Sequence, residues 1–278
     1  MTLPRRTNTI MLHLVLILVA LIILGPVAYT FTTSLKLFRD IVSGEWGFEP
    51  TLANYEQLFM GDRTNFVDLT RNSLVVGLLT LIVVIGIAAL GAYSISRFKW
   101  RPIITGLVMG WLLFINMLPP IIFVGPFFII ARTLGFYDTP IAIAMAHTIL
   151  NLPLAFWMLH SFFADVPAEL EEAAAIDGCS RFQTFYKIAL PIARPGLAAT
   201  AVLVFIFSWK EFLFALTLSS TPAAMTIPVG IASFAQEYNI RYGEMAAAAF
   251  FATLPGLVLV FVAQKQIVKG MTLGALKG

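Results

Sequence analysis

Six long apolar segments constrain the fold of this chain more than any other feature. A helix needs about 20 residues to cross about 30 Å of hydrocarbon, and the last segment reaches that length only with its flanking residues. Because lipid offers no partner for backbone polar groups, helices are the expected way to span it. The sequence therefore predicts an all-α membrane protein, a single transmembrane domain over residues 1–278 with six transmembrane helices. These predicted spans are residues 10–31, 73–95, 103–130, 140–162, 196–218 and 245–262.

Composition supports a membrane chain and excludes several other classes. Hydrophobic residues make up 59% of the 278 positions and charged residues only 12%, where a soluble chain carries about 25% charged residues. The one cysteine, Cys179, excludes an intrachain disulfide, and the three histidines lack metal-ligand spacing. No glycine-rich phosphate loop is present. We therefore expect no catalytic residue, no metal site and no cofactor in this chain.

Prolines interrupt several of the apolar segments and predict kinks, since neighbouring helices can satisfy the freed backbone groups. These prolines are Pro26, Pro119, Pro120, Pro126, Pro153 and Pro255.

The distribution of basic residues predicts the orientation. With the N-terminus inside, 11 of the 18 Lys and Arg residues fall on the inner side, six on the outer side, and Lys210 within a span. Cytoplasmic loops carry the excess of Lys and Arg. We expect a multi-pass protein of a bacterial or archaeal cytoplasmic (inner) membrane, with both termini in the cytoplasm.

The inner loop at residues 164–195 has the pattern of a compact helical unit. Pro167 suits the first helical position, glutamates follow in the first turns, and alanines occupy 173–175. Gly178 is then placed to end the helix in a left-handed conformation. A second amphipathic stretch follows before the next span, with apolar residues at Phe182, Phe185, Tyr186, Ile188 and Leu190.

Residue types and spacings from Glu172 to Pro191 resemble the EAA motif of binding-protein-dependent ABC importer permeases. All the residue types and spacings that the motif fixes across these 20 positions are present. At Cys179, the sequence departs from the alanine that commonly follows the glycine. The resemblance implies that this loop couples the permease to an ATPase. The residues that carry it are Glu171, Glu172, Ala173, Ala174, Asp177, Gly178, Ile188, Leu190 and Pro191.

The resemblance extends to the carbohydrate-importer branch, and especially to the smaller permease of the maltose-type transporter. The stretch 209–218 and the tail 270–278, within a C-terminal segment at 263–278, are similar to that subunit. The resemblance implies a cytoplasmic coupling helix, two ATPase subunits that bind ATP and Mg, a second and different permease chain, and an extracytoplasmic binding protein. The tail is expected to reach between the ATPases, and the outer loop at 219–244 to contact the binding protein.

Two charges in the fifth predicted span, Lys210 and Glu211, raise the question of the solute. Ionisable residues within a membrane are functional candidates by default. Related permeases often have Asn where this chain has Lys210, which points to an anionic sugar; the alternative is a structural ion pair or a lysine snorkelling to the interface. The candidates for the solute pathway are Asn116, Asn151, Trp157, Trp209, Lys210 and Glu211.

Other functions stay open as alternatives to a sugar importer. An ABC permease for an amino acid or a phosphate ester would share the motif but differ in its solute. An ion-coupled secondary transporter would use Lys210 and Glu211 as a proton relay and would need no ATPase. A membrane-embedded enzyme would need a nucleophile–base pair or a metal cluster, and the sequence shows neither.

Overall fold

A computed structural model describes residues 5–44, 47–61, 65–236 and 239–275 of the chain, with side chains described between residues 9 and 264 except at 236, 239 and 263. This part of the chain is nearly all helical, as predicted. The exception in this part of the chain is a short antiparallel pair of strands, β1 (Ala235–Gln236) and β2 (Asn239–Ile240). The helices are α1 (Arg5–Ser34), α2 (Phe38–Ser43), α3 (Ala53–Met60), α4 (Phe66–Arg97), α5 (Pro102–Met117), α6 (Ile121–Thr133), α7 (Pro140–Ala164), α8 (Ala168–Ile176), α9 (Arg181–Thr184), α10 (Leu190–Ile192), α11 (Arg194–Trp209), α12 (Leu213–Leu218), α13 (Ile227–Ser233) and α14 (Tyr242–Ala275), with a π-helical turn at Phe185–Ala189.

Four helices are long and apolar enough to cross a membrane unaided. They are the stretches Thr9–Ser34, Phe66–Arg97, Pro140–Ala164 and Tyr242–Val262. Two bent pairs raise the number to six if each pair counts as one span: Pro102–Met117 with Ile121–Thr133, and Arg181–Ile192 with Arg194–Trp209. The described chain therefore holds four to six candidate spans.

Two predicted spans are not continuous helices, and the first of them breaks at prolines where a kink is predicted. The segment 103–130 breaks between α5 and α6 with a bend of 100°, because Pro119 and Pro120 cannot donate backbone hydrogen bonds and disfavour helical geometry before them. The segment 196–218 breaks after Trp209, and α12 resumes only at Leu213. By contrast, helices α1, α6, α7 and α14 run through the other predicted proline positions.

The predicted C-terminal segment at 263–278 begins inside α14, which continues to Ala275. Residues 276–278, the end of the tail that carries the resemblance, lie outside the described residues.

The chain divides into two compact units, and the first comprises Met1–Val67 and Gly230–Leu254. Asn54, at the start of α3, donates hydrogen bonds of 2.8 Å to the carbonyls of Ser34 and Lys36. Phe59, Phe66 and Phe251 form a mutual edge-to-face triad with ring centroids 5.2–5.5 Å apart. The apolar side chains of α1 are exposed, so they must meet lipid or another chain.

The second unit comprises Asp68–Val229 and Pro255–Gly278. Its main core lies among α4, α5, α7 and α11, around Val84, Ala88, Phe156, Leu159 and Val204. Helices α7 and α11 approach so closely that the ring of Phe162 lies where a side chain on Gly196 would stand. Small residues permit this kind of approach between helices in lipid.

Substituting Gly196→Ala should therefore destabilise the protein by about 1–3 kcal/mol, the usual cost of overpacking a core. Thermal unfolding in detergent measures the effect. Gly106→Ala is the matched control, because a methyl group added at this position of α5 would meet no heavy atom within 4 Å. Phe162→Leu should restore part of the loss in the double variant. Equal melting temperatures for Gly196→Ala and the wild type would contradict this packing.

Candidate functional site

The loop at 164–195 forms the helical unit that its sequence predicts. Helix α8 ends at Ile176, and the Cys179 amide donates to the carbonyl of Ala174 at 2.9 Å while the Gly178 amide donates to Ala175 at 3.1 Å. These two bonds make a Schellman motif, which needs a left-handed residue after the helix. Gly178 has φ +81°, so the predicted left-handed ending is confirmed.

Two details of the loop differ from the sequence interpretation. Pro167 stands one position before the helix, as its N-cap, rather than at the first helical position. The second stretch is not one amphipathic helix, because a π-helical turn at Phe185–Ala189 separates α9 from α10. Ser180 and Gln183 start α9 with a reciprocal capping box, a local signal that fixes where this helix begins.

Several apolar side chains of this unit are exposed, and we call them together the loop face. Ile176 is 87% exposed and Phe182 is 68% exposed. Among the motif residues, Glu172, Ala173, Asp177 and Gly178 are exposed as well. Grouped apolar side chains of this kind mark an interaction surface. The loop face consists of Leu170, Ala173, Ile176, Phe182 and Tyr186.

Hydrogen bonds and an ion pair hold this unit on the end of α4, and we call these contacts the anchor. Arg97 Nε donates to Glu171 Oε1 at 2.8 Å, and Tyr93 donates its hydroxyl to Glu171 Oε2 at 3.0 Å. Arg97 also donates to the carbonyls of Phe163 and Val166. The Arg97 and Glu171 side chains are each only 14% exposed. Glu171 is thus turned inward, whereas its neighbour Glu172 is exposed.

Aromatic packing reinforces this anchor. The rings of Tyr93, Phe163 and Phe185 lie 4.9–6.1 Å apart by centroid, a range in which edge and tilted pairs add stability. Ala174 and Ala189 are buried, and the motif residues Ile188, Leu190 and Pro191 are half-buried. The motif therefore divides between residues that hold the loop and residues that face outward.

A second polar cluster holds the break after α11. His147 of α7 forms hydrogen bonds with the Ser208 hydroxyl at 2.7 Å and with Glu211 Oε2 at 2.8 Å. The Glu211 carboxylate also accepts the amides of Phe214 and Ala215 at the start of α12. Ser208 donates in turn to Thr80 of α4. Sequence reasoning missed the role of His147, because 64 residues separate it from its partner Glu211.

The solute-pathway candidates do not form one cluster. Asn151 is buried and donates to the His147 carbonyl at 2.8 Å, and Trp209 is buried with its ring stacked on Phe205. Asn116, Trp157 and Lys210 are exposed, and within the described part of the chain no hydrogen bond or ion pair joins these three to one another.

Lys210 follows the last residue of α11 as its C-cap and does not pair with its neighbour Glu211. Its ammonium lies 4.7 Å from the ring centroid of Phe207, and among the described residues it forms no ion pair. In place of the ion pair with Lys210 that the sequence allowed, the Glu211 carboxylate pairs with His147, whose Nε2 lies 2.8 Å from Glu211 Oε2.

On the opposite, outer side by the predicted orientation, Asp138 ties the turn before α7 to the loop after α12. Its carboxylate accepts the Ser220 and Thr221 amides at 2.8 and 3.2 Å and the Thr221 hydroxyl at 2.7 Å. Partial burial raises the pKa of Asp138, but these hydrogen bonds outweigh it and lower the pKa below its usual value. The carboxylate is therefore held ionised, and it fixes the start of the outer loop at 219–244.

Residues 82–273 match the family described as "Binding-protein-dependent transport system inner membrane component". The matched range contains the anchor, the loop face and the polar cluster around His147 except Thr80.

Two curated proteins are similar to this chain over most of both lengths. The trehalose transport system permease protein SugB of Mycobacterium tuberculosis (strain CDC 1551 / Oshkosh) is 38% identical, over 91% of this chain and 92% of that protein. The trehalose/maltose transport system permease protein MalG of Thermococcus litoralis (strain ATCC 51850 / DSM 5473 / JCM 8560 / NS-C) is also 38% identical, over 83% of each.

A solved structure shares the fold. It is the crystal structure of a bacterial ABC transporter involved in the import of the acidic polysaccharide alginate. One of its chains superposes with a TM-score of 0.79 at 21% identity, covering 95% of this chain and 99% of that one.

Neutralising the anchor should loosen the loop without removing its bulk. Removing one partner of a buried ion pair costs about 3–5 kcal/mol, and because both side chains keep some exposure, we expect the lower end for Glu171→Gln. Thermal unfolding and the rate of proteolysis within 164–195 measure it. Glu169→Gln, at an exposed position of the same helix, should leave both unchanged. Equal effects of the two substitutions would contradict the anchor.

Proposed function

Because the chain belongs to the family of binding-protein-dependent transport system inner membrane components, we propose that it is the permease subunit of an ATP-binding-cassette importer. The match over residues 82–273 and the 38% identity to SugB and MalG support this assignment. The family favours an ATP-driven importer over an ion-coupled secondary transporter. The chain is a transport subunit, and its ATP and Mg are bound by partner ATPases.

We place the solute in the sugar class. The two relatives named above transport trehalose or trehalose and maltose by their descriptions, and both align with more than four-fifths of this chain. An amino-acid or phosphate-ester importer would share the family without this likeness. The solute reaches the chain from an extracytoplasmic binding protein, for which the outer loop at 219–244, held by Asp138, is the contact.

The chain crosses the membrane six times in this proposal, with both termini in the cytoplasm, α5 and α6 together forming the third span and α11 and α12 the fifth. The excess of Lys and Arg on the inner side supports the orientation. A second permease chain completes the pathway. The exposed apolar side chains of α1 supply a surface for that partner or for lipid.

The loop at 164–195 carries the proposal, with α8 as its cytoplasmic coupling helix. Its apolar loop face docks on the ATPase, while Glu171 and Arg97 join the opposite side to the end of α4. A docking helix with such an anchor transmits motion, because the ion pair and the aromatic contacts resist its displacement relative to the spans. ATP binding then moves the loop, and the loop moves the helices around the solute.

Gly178→Val tests the coupling role. A left-handed conformation costs an L-residue about 1–2 kcal/mol, and a β-branched residue is a genuine outlier there. We expect weaker copurification with the ATPase and loss of binding-protein-stimulated ATP hydrolysis and uptake. Gly178→Asn is the matched control, because Asn tolerates the left-handed region and should retain more activity. Normal assembly together with normal uptake in Gly178→Val would count against the proposal.

We further propose that Lys210 favours an anionic sugar or sugar-like solute. Its side chain is exposed beside the break after α11, while the neighbouring Glu211 is engaged by His147. A positive charge at this position therefore has no described carboxylate to neutralise it, and it is available to an anionic group.

Lys210→Asn should reduce uptake of an anionic solute relative to a neutral one. Two opposite charges 4 Å apart gain about 1 kcal/mol in water and about 4 kcal/mol near a protein surface, so the preference should fall by about fivefold or more. Competition uptake with neutral and anionic sugars measures the ratio, and Lys210→Arg should preserve it. An unchanged ratio in Lys210→Asn would rule out recognition of an anion by this residue.

A further inference from the structure

A cavity of about 480 Å³ lies beside the anchor, between the end of α4 and the loop at 164–195. Its volume is within the range of about 300–1,000 Å³ that is typical of small-molecule sites. Residues from α4, α8 and α9 line it, so a molecule bound there would contact the coupling helix and a predicted span together. Its lining includes Tyr93, Phe98, Lys99, Glu171, Cys179 and Arg181.

The cavity has an excess of positive charge. The Glu171 carboxylate in its wall is already neutralised by Arg97 at 2.8 Å. Lys99 and Arg181 are both exposed, and neither forms an ion pair with any carboxylate of the described residues. Arg181 lies over the ring of Phe98, with its guanidinium carbon 4.9 Å from the centroid. Two uncompensated cations therefore face one cavity, and an anion is the ligand that this charge favours.

A residue typical of a membrane interface follows Lys99 directly in the chain. Trp100 is exposed, and its indole donates to the Ser94 hydroxyl at 3.1 Å. Tryptophan concentrates at the level of lipid headgroups. Basic pockets beside transmembrane helices on the cytoplasmic side bind acidic lipid headgroups. The proposed orientation places this end of α4 on that side.

We propose that this cavity binds the phosphate of an anionic phospholipid headgroup through Lys99 and Arg181. The inference rests on the proposed function for its orientation and for the role of the neighbouring loop. Arginine presents a planar fork that matches phosphate oxygens, and lysine adds a point charge. The volume exceeds what one protein carboxylate would fill, which favours a headgroup over an acidic side chain of the ATPase.

Occupancy of the cavity would act on coupling through the residues that it shares with the loop. Cys179 belongs to the Schellman ending of α8, and Glu171 belongs to the anchor. A headgroup that bridges Lys99 at the end of α4 and Arg181 at the start of α9 binds the ordered loop better than a displaced one. Such a ligand shifts the population toward the ordered loop. Anionic lipid should therefore raise ATP hydrolysis that depends on the binding protein.

The test uses the assembled importer in nanodiscs of phosphatidylcholine with and without phosphatidylglycerol. Each basic residue near an acidic membrane surface contributes about 1 kcal/mol, so Lys99→Gln with Arg181→Gln should weaken phosphatidylglycerol retention roughly thirtyfold by native mass spectrometry. The stimulation of ATP hydrolysis by this lipid should fall with it. Arg101→Gln is the matched control, because Arg101 is exposed near the same end of α4 but does not line the cavity.

A second arm supplies glycerol 3-phosphate or inorganic phosphate to the importer in phosphatidylcholine alone. Stimulation by phosphatidylglycerol only supports a lipid source, and stimulation by the soluble anions supports the same phosphate site with a soluble source. Unchanged lipid retention in the double variant would overturn the proposal. Loss of ATPase copurification in both lipid compositions would also overturn it, since the cavity would then receive a protein side chain.

Different measurements test the lipid site and the proposed function. An importer whose ATP hydrolysis does not respond to any binding protein would count against the proposed function. Native mass spectrometry of the isolated chain would still compare phosphatidylglycerol retention between the wild type and the double variant.

Discussion

The ion pair between Arg97 and Glu171 links the loop at 164–195 to the membrane part of the second unit. Arg97 uses one nitrogen on the carboxylate and another on the carbonyls of Phe163, near the end of α7, and Val166, before α8, so a single side chain holds the end of one helix and the start of the next. A lysine ammonium would have its donors on one nitrogen, whereas the Arg97 fork reaches the carboxylate and the carbonyls from two separate nitrogens. The orientation of α8 depends on this side chain.

Side-chain hydrogen bonds also hold the break after α11. Ending a helix inside an apolar region leaves backbone groups without partners, which is costly in lipid. The Glu211 carboxylate accepts the amides that begin α12, and His147 connects that carboxylate to Ser208 on the last turn of α11. The break is thus held from both sides. At the anchor, a side chain from a distant helix satisfies carbonyls near a helix end, whereas at the break the nearby Glu211 satisfies the amides and the distant His147 holds its carboxylate.

The two polar clusters hold different parts of the permease in place. In the proposed function, the apolar residues of the loop face meet an ATPase, and the anchor connects that surface to α4. The cluster around His147 keeps the break in a defined geometry, with Lys210 exposed beside it. A permease must move without losing its helical contacts, and paired polar groups define discrete arrangements better than apolar contacts alone. These paired polar groups are the physical basis of the proposed coupling.

The sequence by itself determined the helical membrane class, the short helix ended by Gly178, and the family, because apolar length, glycine conformation and motif spacing are local properties. The sequence also predicted a kink at Pro119 and Pro120, although it did not show that the helix would separate there into α5 and α6. Only the tertiary structure decided that Glu171 faces inward and Glu172 outward, or that His147 reaches Glu211. Those outcomes depend on which residues distant helices bring together, and no spacing along one chain contains that information.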